Sequence, residues 1–307
     1  MTGWVPPIGP PPLLTPKQVH QLIDQGHLSV SLPLHIHNLL ARLSAEGSAF
    51  FDQPEQVKSS AFPASHGTQC GYYSIEGQKE YLSLRHSPPN TTSDLHSYAR
   101  DLWALVAGYL HRILGDVSTA LGIPQEAWAP LLEDSLAMPK NESVDPSLPT
   151  LLRLFRYAPN EGVADEHIDN GFLTLCVGDS KGLQVLSRPV NSGQPDQTPE
   201  PPQRQTEAEW AEAEWADAAG PTVLVGGMLH VLSLGRCRAG KHRVVANPVG
   251  RSSTVFALRP CLRYDIDLEQ FGGCGSVHAK ELYGEVKGNR KSVNARKQDN
   301  QKQTASS

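Results

Sequence analysis

The feature that most constrains how this chain can fold is a series of short aliphatic segments in its second half. Leu151–Ala158, Phe172–Val177, Leu183–Ser187, Thr222–Val225, Leu229–Leu234, Arg243–Asn247 and Thr254–Leu258 are bounded by Gly, Pro or Asn. Runs of this length suit strands joined by tight turns. Repeated at this spacing, they predict an antiparallel sandwich or barrel. With 307 residues and 39% hydrophobic content, there is enough apolar material for one large domain or two intimately packed parts.

The first half has a helical texture. Thr15-Pro16 reads as an N-cap followed by proline at the first helical position, with Val19, Leu22 and Ile23 on one face. A second helix is expected from Leu34 to Leu43, ending near Gly47. The strongest starts after Ser93 or Asp94 and runs to Leu121. Its apolar stripe is Leu102, Leu105, Val106, Tyr109, Ile113, Val117 and Leu121, and Gly122 and Pro124 stop it. Such a stripe is core packing. The expected layout is a mostly helical region over 1–125, opening with an extended Pro/Gly-rich arm over 1–13, packed on a β-rich core over 126–285. That core carries a long polar insertion, 189–219, in which Glu207 to Trp215 would form a short acidic helix. From Lys287 on the sequence is basic and nearly without apolar residues, so 286–307 reads as a disordered basic tail.

Charge and composition exclude several classes. A net charge of −5 gives no electrostatic case for nucleic acid or an anionic membrane surface. No apolar stretch approaches the roughly 18 residues that span a bilayer. The N-terminal MTGWVPPIGPPPLL lacks the basic region of a secretory signal. The five cysteines (Cys70, Cys176, Cys237, Cys261, Cys274) form no Cys-x-x-Cys pair, so a cytoplasmic protein with reduced thiols is expected. Nothing in the sequence sets the oligomeric state.

Chemistry concentrates in His167-Ile168-Asp169, His242 and Arg251-Ser252-Ser253. Residues two apart on a strand share a face, so His167 and Asp169 present an imidazole and a carboxylate side by side, with Ile168 turned into packing. Two imidazoles and one carboxylate are the ligand set that holds a non-haem ferrous ion on one face and leaves other positions open. Arg251 and Ser253 also share a strand face, and a guanidinium fork matches a carboxylate. Taken singly the motifs are common: roughly one His-x-Asp is expected by chance in a chain this rich in histidines and acids. The information lies in order and offset, with Arg251 following His242 by nine residues.

That order resembles the isopenicillin N synthase-like branch of the iron(II)- and 2-oxoglutarate-dependent dioxygenases. The resemblance covers most of the chain and is clearest from Leu151 to Pro260. Leu152-Arg153-Leu154-Phe155-Arg156-Tyr157-Ala158-Pro159 is similar to the family's strand ending in tyrosine and proline. Gly182-Leu183-Gln184-Val185, His242-Arg243-Val244 and Arg251-Ser252-Ser253 match its later elements. Phe50-Phe51, Gly71-Tyr72 and Lys79-Glu80 look like its helical N-terminal region. The resemblance implies a mainly β fold with flanking helices, built on a double-stranded β-helix (jelly-roll) core. It implies His167, Asp169 and His242 as Fe(II) ligands, and Arg251, Ser253 and Tyr157 as contacts to 2-oxoglutarate, with O2 as co-reactant. Departures are Gly226-Gly227 in place of Gly-Asp, His230 in place of glutamine or glutamate, and a His167–His242 separation about twenty residues longer than usual, which the insertion explains.

Other polar residues receive plainer readings. His230 is expected to be a hydrogen-bonded residue in or near the core. Asp165 shares the strand parity of His167 and would support it from behind, whereas Glu166 faces solvent. His35 and His37 lie on a helix, where that spacing does not converge. Substrate contacts are sought at Arg188 first, then at Tyr72, Tyr73, Tyr81 and Arg85. The implied activity is hydroxylation of a small-molecule substrate, with polyketide-derived aromatics of secondary metabolism as the analogous class. The alternatives are an iron oxidase or cyclase of the same branch that does not use 2-oxoglutarate, and an inactive jelly-roll binding module.

Overall fold

Alternation along the strands decides the layering. On the strand Leu151–Tyr157, Leu152 and Leu154 join one apolar core with the helices, while Phe155 and Tyr157 join a second, smaller one on the opposite face. Leu82 and Leu84 against Tyr81, and Leu173 and Leu175 against Cys176, divide in the same way. The sheet is therefore buried on both sides, by helices on one and by a second sheet on the other.

A computed structural model of the chain describes residues 11–188 and 213–288, save 66, 90 and 92. Residues 1–10 of the expected arm, 189–212 of the insertion and the tail from 289 lie outside the described residues. The elements are α1 (Pro16–Gln25), β1 (His27–Ser29), α2 (Leu34–Phe51), α3 (Glu55–Ala61), β2 (Gly71–Ile75), β3 (Lys79–Leu84), α4 (Asp94–Leu121) and α5 (Ala129–Leu132). There follow β4 (Leu151–Tyr157), β5 (Ala164–His167), β6 (Leu173–Gly178), β7 (Leu183–Ser187), β8 (Glu214–Asp217), β9 (Thr222–Val225) and α6 (Gly227–Leu232). Last come β10 (His242–Val244), β11 (Arg251–Leu258), β12 (Asp265–Asp267), β13 (Ser276–His278) and α7 (Ala279–Gly288). A seven-stranded antiparallel sheet runs β1-β9-β6-β11-β4-β3-β2, and a four-stranded sheet runs β5-β10-β7-β8. This is the expected jelly-roll with flanking helices, its two sheets not closed on one another.

Helix α1 starts as expected: Thr15 caps Gln18 and Gln18 caps Thr15 in return. Helix α4 spans the larger sheet, with Trp103 edge-on to Phe256 of β11 at 5.1 Å. Its stripe is narrower than read, because Leu105 is 37% exposed. Helix α2 does not end at Gly47 but passes through it to Phe51. Gly47 lies over β4, where a Cβ would sit 2.9 Å from Leu154 Cδ1, so the glycine marks a close crossing and not a stop.

Three further expectations are corrected. Leu229–Leu234 is not a strand. The amides of Gly226, Gly227 and Met228 bond the carbonyls of Phe172, Asp169 and Gly171, and the chain then turns into α6, burying Met228, Leu229 and Leu232 at helical spacing. The described end of the expected acidic helix is strand β8, with Trp215 opposite Leu186 and its ring 4.2 Å under the Arg243 guanidinium. Residues 286–288 belong to α7, where Val286 is buried, so the polar tail begins later than read. No described helix is long and apolar enough to cross a membrane.

Candidate active site

The histidines come together because their strands pair. In the smaller sheet β5 and β10 run antiparallel with His167 opposite His242, and their rings lie 4.2 Å apart. Asp169 stands just beyond β5, in a loop pinned by the Gly227 amide on its own carbonyl at 2.7 Å. His167 Nε2 lies 3.8 Å from Asp169 Oδ1 and His242 Nε2 lies 3.9 Å from Oδ2. One ligand atom from each of the three lies within 4.8 Å of the others, and no second such group occurs among the described residues.

Backbone carbonyls orient both rings. His167 Nδ1 is 2.8 Å from the Asp165 carbonyl oxygen and His242 Nδ1 is 3.0 Å from that of Gly240. A carbonyl only accepts, so each Nδ1 carries a proton and Nε2 is the nitrogen turned toward Asp169 and the metal position. Burial and then the neighbouring His167 ring push the His242 pKa down to about 4, which keeps the ring neutral. Burial by itself would raise the Asp169 carboxyl, but the imidazoles of His242 and His167, with Thr174 and Arg259 behind them, hold it at about 2. Two imidazole nitrogens and an ionised carboxylate are the donor set a divalent transition ion takes, so these residues fit iron(II). The support expected from Asp165 comes from its carbonyl and not its carboxylate. Glu166 is exposed and pairs with Lys241 at 2.8 Å.

The ligands open into a cavity of about 150 Å³ between the sheets. Tyr157 and Ser253 line it, as do Phe155, Leu183, Leu224 and Val244. Ile168, expected to turn away into packing, lines it as well. Arg251 sits opposite Tyr157 in the β4–β11 register and is buried, lining an open outer groove that it shares with Tyr157 and Lys79, and it is not among the residues that line the cavity itself. Its Nη1 donates to the Ser180 carbonyl. Gly178 makes room for it: a Cβ there would lie 1.9 Å from Arg251 Nη1.

The residues nominated for substrate do not gather at this cavity. Arg188 turns to α1, its amide donating to Gln25 Oε1 at 3.0 Å and its Nη2 to the Asp24 carbonyl at 3.3 Å. Arg85 braces loops through the carbonyls of Thr68, Asp145 and Leu148. Tyr72 donates to Glu80 Oε2 at 2.7 Å, inside a charged cluster with Lys58 and Arg156 that ties α3 to β3 and β4. Tyr73 and Tyr81 stack at 5.0 Å, and Tyr81 packs on Phe155 at 5.3 Å, behind the cavity wall. His230 is tied to the Cys237 carbonyl at 2.7 Å, and His35 and His37 are exposed. What the sequence reading missed is a set of cavity cations, Lys79, Arg153, Arg259 and Lys287. Arg153 was findable, since it shares strand parity with Phe155 and Tyr157. Lys79 was not, because it reaches the site only through its register opposite Tyr157.

Solved structures with this architecture include a full-length Neurospora crassa protein in complex with alpha-KG and 5-formyluracil. It is 18% identical, with 88% of each chain covered and a TM-score of 0.62. The fold is that of 2-oxoglutarate–iron(II) oxygenases. The rice dioxygenase for auxin oxidation is 19% identical, with 86% of each chain covered and a TM-score of 0.55. The Arabidopsis thaliana dioxygenase for auxin oxidation 1, in a binary complex with 2-oxoglutarate, is 16% identical over 80% of this chain and 86% of that one, with a TM-score of 0.57. No family model matches the sequence, and no curated protein matches it.

Proposed function

We propose that this protein is an iron(II)- and 2-oxoglutarate-dependent oxygenase that hydroxylates a small organic molecule. The observation that carries the reading is the convergence of His167 Nε2, His242 Nε2 and the Asp169 carboxylate at a cavity also lined by Tyr157 and Ser253. Bound there, ferrous iron with 2-oxoglutarate and dioxygen supplies an oxidation in which one oxygen atom enters succinate, carbon dioxide leaves, and the other atom enters substrate. The chain's residues bind and orient. The Asp165 and Gly240 carbonyls hold the imidazole tautomers, Arg251 with Ser253 and Tyr157 takes the distal carboxylate of the cosubstrate, and Leu183, Leu224 and Val244 exclude water from the reacting centre.

The Neurospora crassa protein is seen with 5-formyluracil and the rice protein is named for auxin oxidation, so this fold receives small organic molecules, and a substrate of that kind is the reading here. Membership of the isopenicillin N synthase-like branch rests on the Gly182–Val185, His242–Val244 and Arg251–Ser253 motifs. A polyketide-derived substrate and a role in secondary metabolism rest on analogy of fold.

Anaerobic addition of iron(II) and then 2-oxoglutarate should give the visible charge-transfer band of the chelate. Admission of oxygen should then release succinate. A folded, iron-loaded protein that shows neither overturns the reading. A band-free protein that still consumes oxygen with a substrate would be the iron oxidase alternative.

A further inference from the structure

The cavity holds more positive charge than iron and cosubstrate account for. Asp169 is the one acid among the described residues that line it, whereas Lys79, Arg153, Arg259 and Lys287 line it together. A divalent cation and a dianionic cosubstrate cancel one another, so the excess persists when both are bound. Arg153 and Arg259 both feel the Asp169 carboxylate, but that group carries a single charge and also faces two imidazoles, so it does not balance the two guanidiniums.

Both guanidiniums are held from behind. Arg153 Nε donates to Ser83 Oγ at 2.5 Å, its one hydrogen bond among the described residues, and its plane lies over the rings of Tyr81 at 5.0 Å and Phe155 at 5.5 Å. This fixes the fork and leaves its terminal nitrogens to a ligand. Arg259 is buried, with Nη1 donating to Gln69 Oε1 at 3.0 Å and to the Pro149 carbonyl at 3.2 Å, and Nε making no hydrogen bond among the described residues. Gln69 also lines the cavity and sits at φ 58, a left-handed backbone uncommon outside glycine and often held at ligand sites. Burial, and the like charge of Arg259, lower the Arg153 pKa. Two like charges lining one cavity are relieved by an anion placed near both.

We propose that Arg153 and Arg259 bind a carboxylate of the molecule that is oxidised, so that the substrate class is small organic acids. The word substrate rests on the oxygenase reading above; the anion site does not. Arg153 and Tyr157 lie on one face of β4, four residues or about 13 Å of extended chain apart. That spacing keeps a substrate anion clear of the cosubstrate's distal carboxylate.

Calorimetric titration with phenylacetate and with its neutral isostere phenylacetamide tests this, run with and without iron(II) and 2-oxoglutarate under anaerobic conditions. Phenylacetate should bind at least tenfold more tightly than the amide. Arg153→Gln should erase the difference while the 2-oxoglutarate dissociation constant stays within twofold, and Arg251→Gln should do the reverse. If Arg153→Gln does not fold, Arg153→Lys is read in its place. It keeps the charge but loses the fork, and should weaken phenylacetate several-fold while leaving the amide unchanged. Equal binding of the two probes, binding of neither, or an Arg153 variant that weakens 2-oxoglutarate as much as Arg251→Gln overturns the proposal. A wild type that prefers phenylacetate yet gives no chelate band sinks the oxygenase reading and leaves the acid site standing.

Discussion

At the residue scale, each site group is positioned by a neighbour that does no chemistry. His242 depends on the Gly240 carbonyl, His167 on that of Asp165, and Arg251 on the absence of a side chain at Gly178. Removing a ligand and removing a support should therefore differ in kind. His167→Ala should weaken ferrous iron binding by at least ~100-fold, beyond the roughly 10–100-fold typical of lost supporting partners; an unchanged affinity would show the metal assignment to be wrong. Gly178→Ala should leave iron binding intact, because the atoms nearest its Cβ are those of the Arg251 guanidinium. It should raise the 2-oxoglutarate dissociation constant by about tenfold or more, the scale of one charged hydrogen bond lost. Titration of the chelate band separates the two effects.

At the element scale, the corner between α1 and β1 sets the approach to His242. Gly26 caps α1 in the left-handed region at φ 75, and a Cβ there would meet Ala239 C and Arg238 O at 2.8 Å and Gly240 N at 2.9 Å. These are backbone atoms that cannot swing aside, and Gly240 carries the carbonyl that orients His242. Gly122 caps α4 at φ 66 with open space where its Cβ would lie, so the pair separates conformational strain from collision. Gly122→Ala should cost about 1–2 kcal/mol. Gly26→Ala should cost clearly more and also weaken iron binding, as read from thermal midpoints and iron titration. Equal losses from the two would mean that the Gly26–Gly240 contact is loose. Amides already bonded to the 169–172 loop turn the chain at 226–228, and the good helix formers Met228, Leu229 and Leu232 then carry it into α6.

At the scale of the whole molecule, buried neutral histidines tie stability to pH. Burial, with the Arg238 charge, pushes His27 down to about 4, and burial with His167 does the same to His242. In the unfolded chain both would titrate near 6.5, so the unfolded state takes up protons first as pH falls. Stability of the metal-free protein should be full above pH 6.5, decline between 6.5 and about 4, and show no further dependence on these two groups below that. The decline is on the order of 3 kcal/mol for each histidine. Urea midpoints measured across that window should fall, and His27→Asn should roughly halve the slope; a flat profile would mean that both rings already charge in the folded state.

Strands β4, β6, β7, β9 and β11 were legible in the sequence because short aliphatic runs bounded by turn residues are local signals, whereas β1, β2 and β3 were not read as strands. The residues of the candidate metal group were nominated from motif order and offset, with His167 and Asp169 two residues apart and His242 and Arg251 nine, although Asp169 lies in the loop beyond β5 and not on the strand face expected for it. Tertiary structure alone decided the rest. Lys79 lies next to Tyr157, Arg259 meets Gln69, and Arg188 turns away to α1, through pairings across 78, 190 and 163 positions of chain. Contacts at that distance leave no periodic trace, because they are chosen by register and layering of the folded sheets and not by the residues on either side.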